Sequence, residues 1–150
     1  MVARSAENSR MEESIMMIQI PNEQKQEILS WLRQGLPNEA CGLLAGVREE
    51  NIVTVKKVYG MRNVDHSSSH FSMDAREQFA VIKDIRKNGW ILIGNVHSYP
   101  TTKAEPSEED IRLAYDSGIF YLICSFLEEE PKLRAFRIID RKKVVNVQVI

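Results

Sequence analysis

The sequence predicts an α/β protein of the α+β type: a mixed, largely antiparallel sheet flanked by helices, in one domain. Three observations predict it. The chain has 150 residues, which suits one domain with a sizeable core and leaves no room for two of ordinary size. Its apolar and amphipathic runs fall in the order β-α-β-β-α-β-α-β-β-β. Consecutive strands with no helix between them make hairpins, and the strict βαβ repetition of a doubly wound parallel sheet is absent.

Each element has its own signal. The polar stretch 1–14 lacks an apolar signal core and reads as a flexible tail ahead of a domain over 15–150. "IMMIQIP" (15–21) is a first strand closed by proline. "NEQKQEILSWLRQGLP" places Ile28, Leu29, Trp31 and Leu32 on one helical face, with Asn22 as N-cap and Gly35 and Pro37 as the stop. "ACGLLAGV" (40–47) is a short buried strand, and "IVTVKKVYG" is its hairpin partner. A polar loop spans 61–70. Asp74 caps a helix running to about Lys87 that turns Phe79, Ile82 and Ile85 inward, and Asn88-Gly89 ends it. "WILIGNVH" (90–97) is the most apolar strand and is expected at the sheet centre. A short helix from Ser107 to Gly118, the strand "IFYLICSF" and a final hairpin from "KLRAFRII" and "KVVNVQVI" complete the chain.

Charge and composition narrow the function. The net charge is −1 and the pI about 6.3, so nothing in the bulk balance points to nucleic acid or a membrane surface. No apolar run reaches the roughly 18 residues of a membrane span. Cys41 and Cys124 form no CxxC pair and lie in apolar runs, which predicts buried, inert thiols and a cytoplasmic setting. Gly-rich phosphate loops and HExxH helices are absent.

The chemistry concentrates in "NVHSYPTTKAEPSEED" (95–110). His97 ends a buried strand, and side chains two apart on a strand share a face, so positions 97 and 99 can address one point. "SEED" is Ser-x-x-Asp ahead of an apolar run. By itself that is a capping box, in which Ser107 and Asp110 exchange hydrogen bonds with each other's backbone N–H. The same pair would also place a hydroxyl and a carboxylate near the strand end.

The joint spacing resembles the signature of the JAMM (MPN+) metallopeptidases, His-x-His-x7-Ser-x2-Asp, with seven residues between position 99 and Ser107. Upstream, "LPNEACGLLAG" (36–46) is similar to the glutamate-bearing strand entry of that family, with Glu39 as the glutamate. The resemblance covers the chain from about residue 15 and matches the stand-alone bacterial JAB-domain type, whose architecture is cytidine deaminase-like. It implies one Zn2+ per chain, with His97 and Asp110 as ligands, Glu39 as general base and Ser107 as oxyanion donor. It also implies hydrolysis of a peptide or isopeptide bond, after the C-terminal Gly-Gly of a ubiquitin-like or sulfur-carrier protein. The family often forms homodimers.

The departure is Tyr99, which stands where the signature has its second histidine. A phenol has a pKa near 10 and must lose its proton to compete as a ligand. Two outcomes stay open: Tyr99 binds as phenolate, or it turns away and leaves a two-ligand site. Weakened zinc binding is expected, with the second outcome favoured. His66 and His70 are the other histidines and read as surface residues, so rescue by either has weak support. Three functions follow: a zinc peptidase, a metal-poor pseudoenzyme that binds a ubiquitin-like tail or partner subunit, or an unrelated domain in which Glu39, His97 and Asp110 scatter.

Overall fold

Alternation and turn chemistry carry most of the chain to its predicted place. The computed structural model describes residues 17–150; the tail expected over 1–14 lies outside the described residues. Seven strands, β1 (Met17–Gln19), β2 (Cys41–Glu49), β3 (Ile52–Met61), β4 (Ile91–Tyr99), β5 (Phe120–Ser125), β6 (Lys132–Ile139) and β7 (Lys143–Val149), are joined with three helices in the expected order. Helix α1 is Asn22–Gln34, α2 is Ala75–Lys87 and α3 is Glu108–Arg112.

The strands form one sheet in the order β1-β3-β2-β4-β5-β6-β7. The pairs β2–β3, β2–β4, β5–β6 and β6–β7 are antiparallel, and β4–β5 is parallel. The sheet then closes on itself, because short β1 pairs parallel with both β3 and β7. Backbone bonds from Ile20 N to Ile150 O and from Ile150 N to Ile18 O, each 2.9 Å, complete the seam. Closure was not legible in the sequence, since it depends on which strand edges meet. It removes two edges that would otherwise expose unpaired N–H and C=O groups.

Adjacent residues on β2 separate the two sides of the sheet. Leu44 joins Ile18, Val96 and Leu122 in the main core, which Ile28 and Leu32 of α1 cover. Leu43 and Cys41 face the other side with Met61 and the α2 residue Val81. β4 lies between β2 and β5, as its apolar composition predicts. Gly94 makes the β4–β5 approach close enough, because a Cβ there would lie 1.9 Å from the Phe120 carbonyl oxygen.

Local expectations hold at Asp74, whose side chain accepts from Glu77 N, and at Gly89, which ends α2 with a φ of 72°. Three fail. Pro21, not Asn22, is the N-cap of α1, with no side-chain cap bond. Proline is preset for a helix start, and Asn22 becomes the first helical residue. Phe79 is exposed at 66%, leaving Ile85 as the buried residue of α2. The third helix stops at Arg112 rather than near Gly118, because its apolar residues are too few to hold a longer helix against the sheet. Trp31 keeps an exposed edge, yet its Nε1–H donates to the Cys41 carbonyl at 2.8 Å and ties α1 to the start of β2.

Gly94→Ala is expected to destabilise the fold by about 3 kcal/mol or more through forced separation of β4 and β5. Phe79→Ser should stay within about 0.5 kcal/mol, as surface positions do. Urea denaturation of both variants checks the contrast.

Candidate functional site

β4 presents Asn95, His97 and Tyr99 to one side of the sheet, where they line a cavity of about 560 Å³. Glu39, Ser107 and Asp110 line the same cavity. Glu39 precedes β2, and Ser107 and Asp110 open α3, so the stretch 95–110 and one residue far upstream of it supply one site.

Backbone bonds set the positions. Ser98 points to the opposite side of β4 from its neighbours and is fully buried. Its Oγ accepts from Ala40 N at 2.8 Å, and its N–H donates to Ala40 O at 2.9 Å. That double clamp fixes the residue after Glu39 between His97 and Tyr99. Asn63 secures the other side: its Nδ2 donates to the carbonyls of Glu39 and His70, each at 2.9 Å. Its Oδ1 accepts from Asp65 N and Ser72 N, each at 3.1 Å. The loop so ordered lays Phe71 on His97, with ring centroids 4.6 Å apart and planes inclined by 26°. Sequence reasoning missed Ser98, Asn63 and Phe71. Only strand alternation gave a signal, for Ser98; loop hydrogen bonds have no period to read.

The capping box is present. Ser107 Oγ accepts from Asp110 N and Asp110 Oδ2 accepts from Ser107 N, each at 3.0 Å. The Tyr99 hydroxyl donates to the same Oδ2 and accepts from Ser107 N at 3.2 Å. His97 Nε2 lies 3.6 Å from that oxygen, too far for a good hydrogen bond. Both His97 ring nitrogens are buried without a partner, as is Asn95 Oδ1.

Electrostatics follow from burial and crowding. Burial, then the carboxylates of Asp110 and Glu109, push Glu39 up from 4.5 to about 8. Burial opposes ionisation of Asp110, but His97, Tyr99 and the Ser107 N–H overcome it and hold the carboxyl below its usual value. Burial and the bond to Asp110 raise the Tyr99 phenol well above its ordinary pKa. Burial pushes both Cys41 and Cys124 up to about 12, which makes them inert thiols.

Whether these residues fit zinc turns on the donor set. His97 Nε2 and Asp110 Oδ2 have the separation of two legs around one ion. The third leg is missing: Tyr99 keeps its proton and spends it on Asp110. His66 is exposed in its loop and is not a wall of the cavity, and His70 Nδ1 lies 3.3 Å from Glu109 Oε2. Among the described residues no three His, Cys, Asp or Glu side chains gather to hold a metal ion. The residues present do not fit a three-ligand zinc centre.

Fold and site together define the class. Residues 21–139 match the prokaryotic homologs of the JAB domain, and the chain belongs to that family. It is 30% identical over 109 residues to the CysO-cysteine peptidase of Mycobacterium tuberculosis, covering 72% of this chain and 73% of that protein. A protein of Desulfitobacterium hafniense, solved in solution, is 46% identical with a TM-score of 0.79, covering 89% of this chain and 93% of its own. The crystal structure of a JAB1/MPN domain protein from Archaeoglobus fulgidus shares the fold at 20% identity and a TM-score of 0.56, covering 90% and 97%. No helix of the described residues is long and apolar enough to cross a membrane.

The Glu39 shift makes a stability prediction. A carboxyl raised from 4.5 to about 8 holds its proton in the folded chain where the unfolded chain has released it. Stability contributed by this group is therefore full below about pH 4.5, falls as pH rises, and is lost by about pH 8. Glu39→Gln should flatten that slope and be more stable than wild type at the alkaline end. Thermal unfolding across the range measures it.

Proposed function

We propose that this chain is a metal-poor member of the JAB family that binds the C-terminal Gly-Gly tail of a ubiquitin-like or sulfur-carrier protein without cutting it. One observation carries the reading: the Tyr99 hydroxyl is committed to Asp110 where a third zinc ligand would be needed. The kinship to a CysO-cysteine peptidase supports a carrier-protein tail as the occupant.

The site has groups suited to holding such a tail. Glu39, with its carboxyl at about 8, keeps its proton near neutrality and donates to a backbone carbonyl. The Ser107 hydroxyl accepts from Asp110 N and keeps its own proton free to donate. Phe71 and the Asn63-ordered loop form one wall of the cavity, and the end of β4 forms its floor. Zinc, if held at all, is bound weakly, because two ordinary ligands leave it exposed to competition.

A hydrolytic reading is favoured by a different observation. A buried imidazole with both nitrogens unpaired, 3.6 Å from a carboxylate, has the arrangement of a ligand pair. It requires Tyr99 to release Asp110.

Metal analysis and a cleavage assay separate the two. Purified protein is expected to carry zinc far below one per chain, to bind a Gly-Gly-tailed carrier fusion and to leave it intact. Tyr99→His should gain zinc and cleavage together, whereas Tyr99→Phe should gain neither. Stoichiometric zinc with cleavage by the wild-type chain would overturn the binding reading.

A further inference from the structure

Helix α3 carries Asp110 and is capped by Ser107, yet it has little of its own to hold it in place. It runs for five residues, Glu108–Arg112, and buries none of them. A helix that short does not persist through its own hydrogen bonds. Its N-terminal end is tied to the site by the Tyr99 hydroxyl and by the Ser107–Asp110 box. Those bonds converge on one residue, Asp110, so by themselves they leave the helix free to pivot about that point. Ala114, buried just past the helix, is one further anchor.

Another anchor comes from a later hairpin. The turn between β6 and β7 brings Arg141 against the C-terminal end of α3. Arg141 Nε donates to the Arg112 carbonyl at 2.7 Å, and its guanidinium lies over the Tyr115 ring, 4.5 Å from the centroid. The Arg112 carbonyl is one of the helix-end acceptors that the helix cannot satisfy itself, and a charged donor is the stronger kind of partner for it. Asp140 N donates to Ser117 Oγ at 3.0 Å and Arg137 Nε to Ser117 O at 3.2 Å, so the same hairpin also grips the segment that follows α3.

The turn holds this side chain there against a local backbone preference. Asp140 and Arg141 both have positive φ, 53° and 59°, and Lys142 N closes the two-residue turn on Ile139 O at 3.0 Å. Turns of that shape favour glycine at the second position, because a Cβ crowds the left-handed backbone. Aspartate tolerates the conformation, but arginine gains nothing from it locally. What position 141 has in place of glycine's freedom is a side chain that reaches α3.

We infer that Arg141 is a positioning residue: it fixes the C-terminal end of α3 and thereby holds Ser107 and Asp110 in their places against Tyr99 and His97. Anchorage at both ends is what a five-residue helix needs in order to aim a carboxylate. The role does not depend on what occupies the cavity, so it stands or falls separately from the tail-binding reading. It also makes the β6–β7 turn, none of whose residues 139–142 lines the cavity, a determinant of the geometry of the site.

The test compares Arg141→Gly and Arg141→Lys with the wild-type full chain, by thermal unfolding, amide hydrogen exchange and the carbon NMR signal of the Tyr99 ring atom that bears the hydroxyl. Arg141→Gly is expected to melt close to the wild-type temperature or above it, because glycine suits the turn. In the same variant the amides of Ile111 and Leu113, which donate to Ser107 O and Glu109 O, should exchange at least about tenfold faster. The Tyr99 signal should move with them as its bond to Asp110 loosens. Arg141→Lys keeps a cationic donor and the same turn, and should recover most of the protection without a higher melting temperature. Unchanged exchange and an unchanged Tyr99 signal in Arg141→Gly overturn the proposal. So does a melting temperature that falls in step with the protection of α3, which makes Arg141 an ordinary structural residue. Protection as low in Arg141→Lys as in Arg141→Gly assigns the effect to the shape of the turn instead of the donor, and overturns it as well.

Discussion

The arrangement of the site depends on β4 being paired along both edges. Its antiparallel register with β2 sets Cys41 opposite His97, and its parallel register with β5 sets Ile123 there. With both edges committed, the strand cannot slide, and a slip of one residue would turn His97 and Tyr99 into the opposite core. Ser98 adds the clamp on Ala40, which carries Glu39 to the same end of the strand. The floor of the cavity is thus held by backbone bonds in the core, and its walls by bonds within a loop.

Against that rigid floor, one phenol changes the chemistry. Imidazole at position 99 would present a lone pair to a shared ion. Tyr99 presents a proton to Asp110 instead, and burial keeps that proton in place. The result is a self-satisfied trio of Tyr99, Ser107 and Asp110 beside an unsatisfied His97.

Much of this was legible in advance. The order of elements, the central place of β4, the Asp74 cap and the Ser107–Asp110 box each follow from short-range patterns that survive folding unchanged. What was not legible lies where contacts are long-range and aperiodic. Asn63 bonds to four backbone groups of its loop and of Glu39, and nothing in "MRNVDHSSSH" marks it out from the other polar residues. Phe71 falls between the polar loop 61–70 and the helix capped by Asp74, where no period marks it, yet it stacks on His97. Phe79 has the spacing of a buried helix residue, but α2 meets the sheet along a narrower stripe than its apolar positions suggest.

The sequence by itself determined the family, the strand that carries His97 and Tyr99, and the replacement that makes position 99 a proton donor, because residue type fixes hydrogen-bonding capacity and spacing fixes the face. The tertiary structure decided that the Tyr99 proton goes to Asp110 and, among the described residues, that neither remaining histidine completes a ligand set and that three carboxyl groups share one cavity without lysine or arginine. Those outcomes depend on which groups other segments of the chain bring within about 4 Å, and that distance is set by packing.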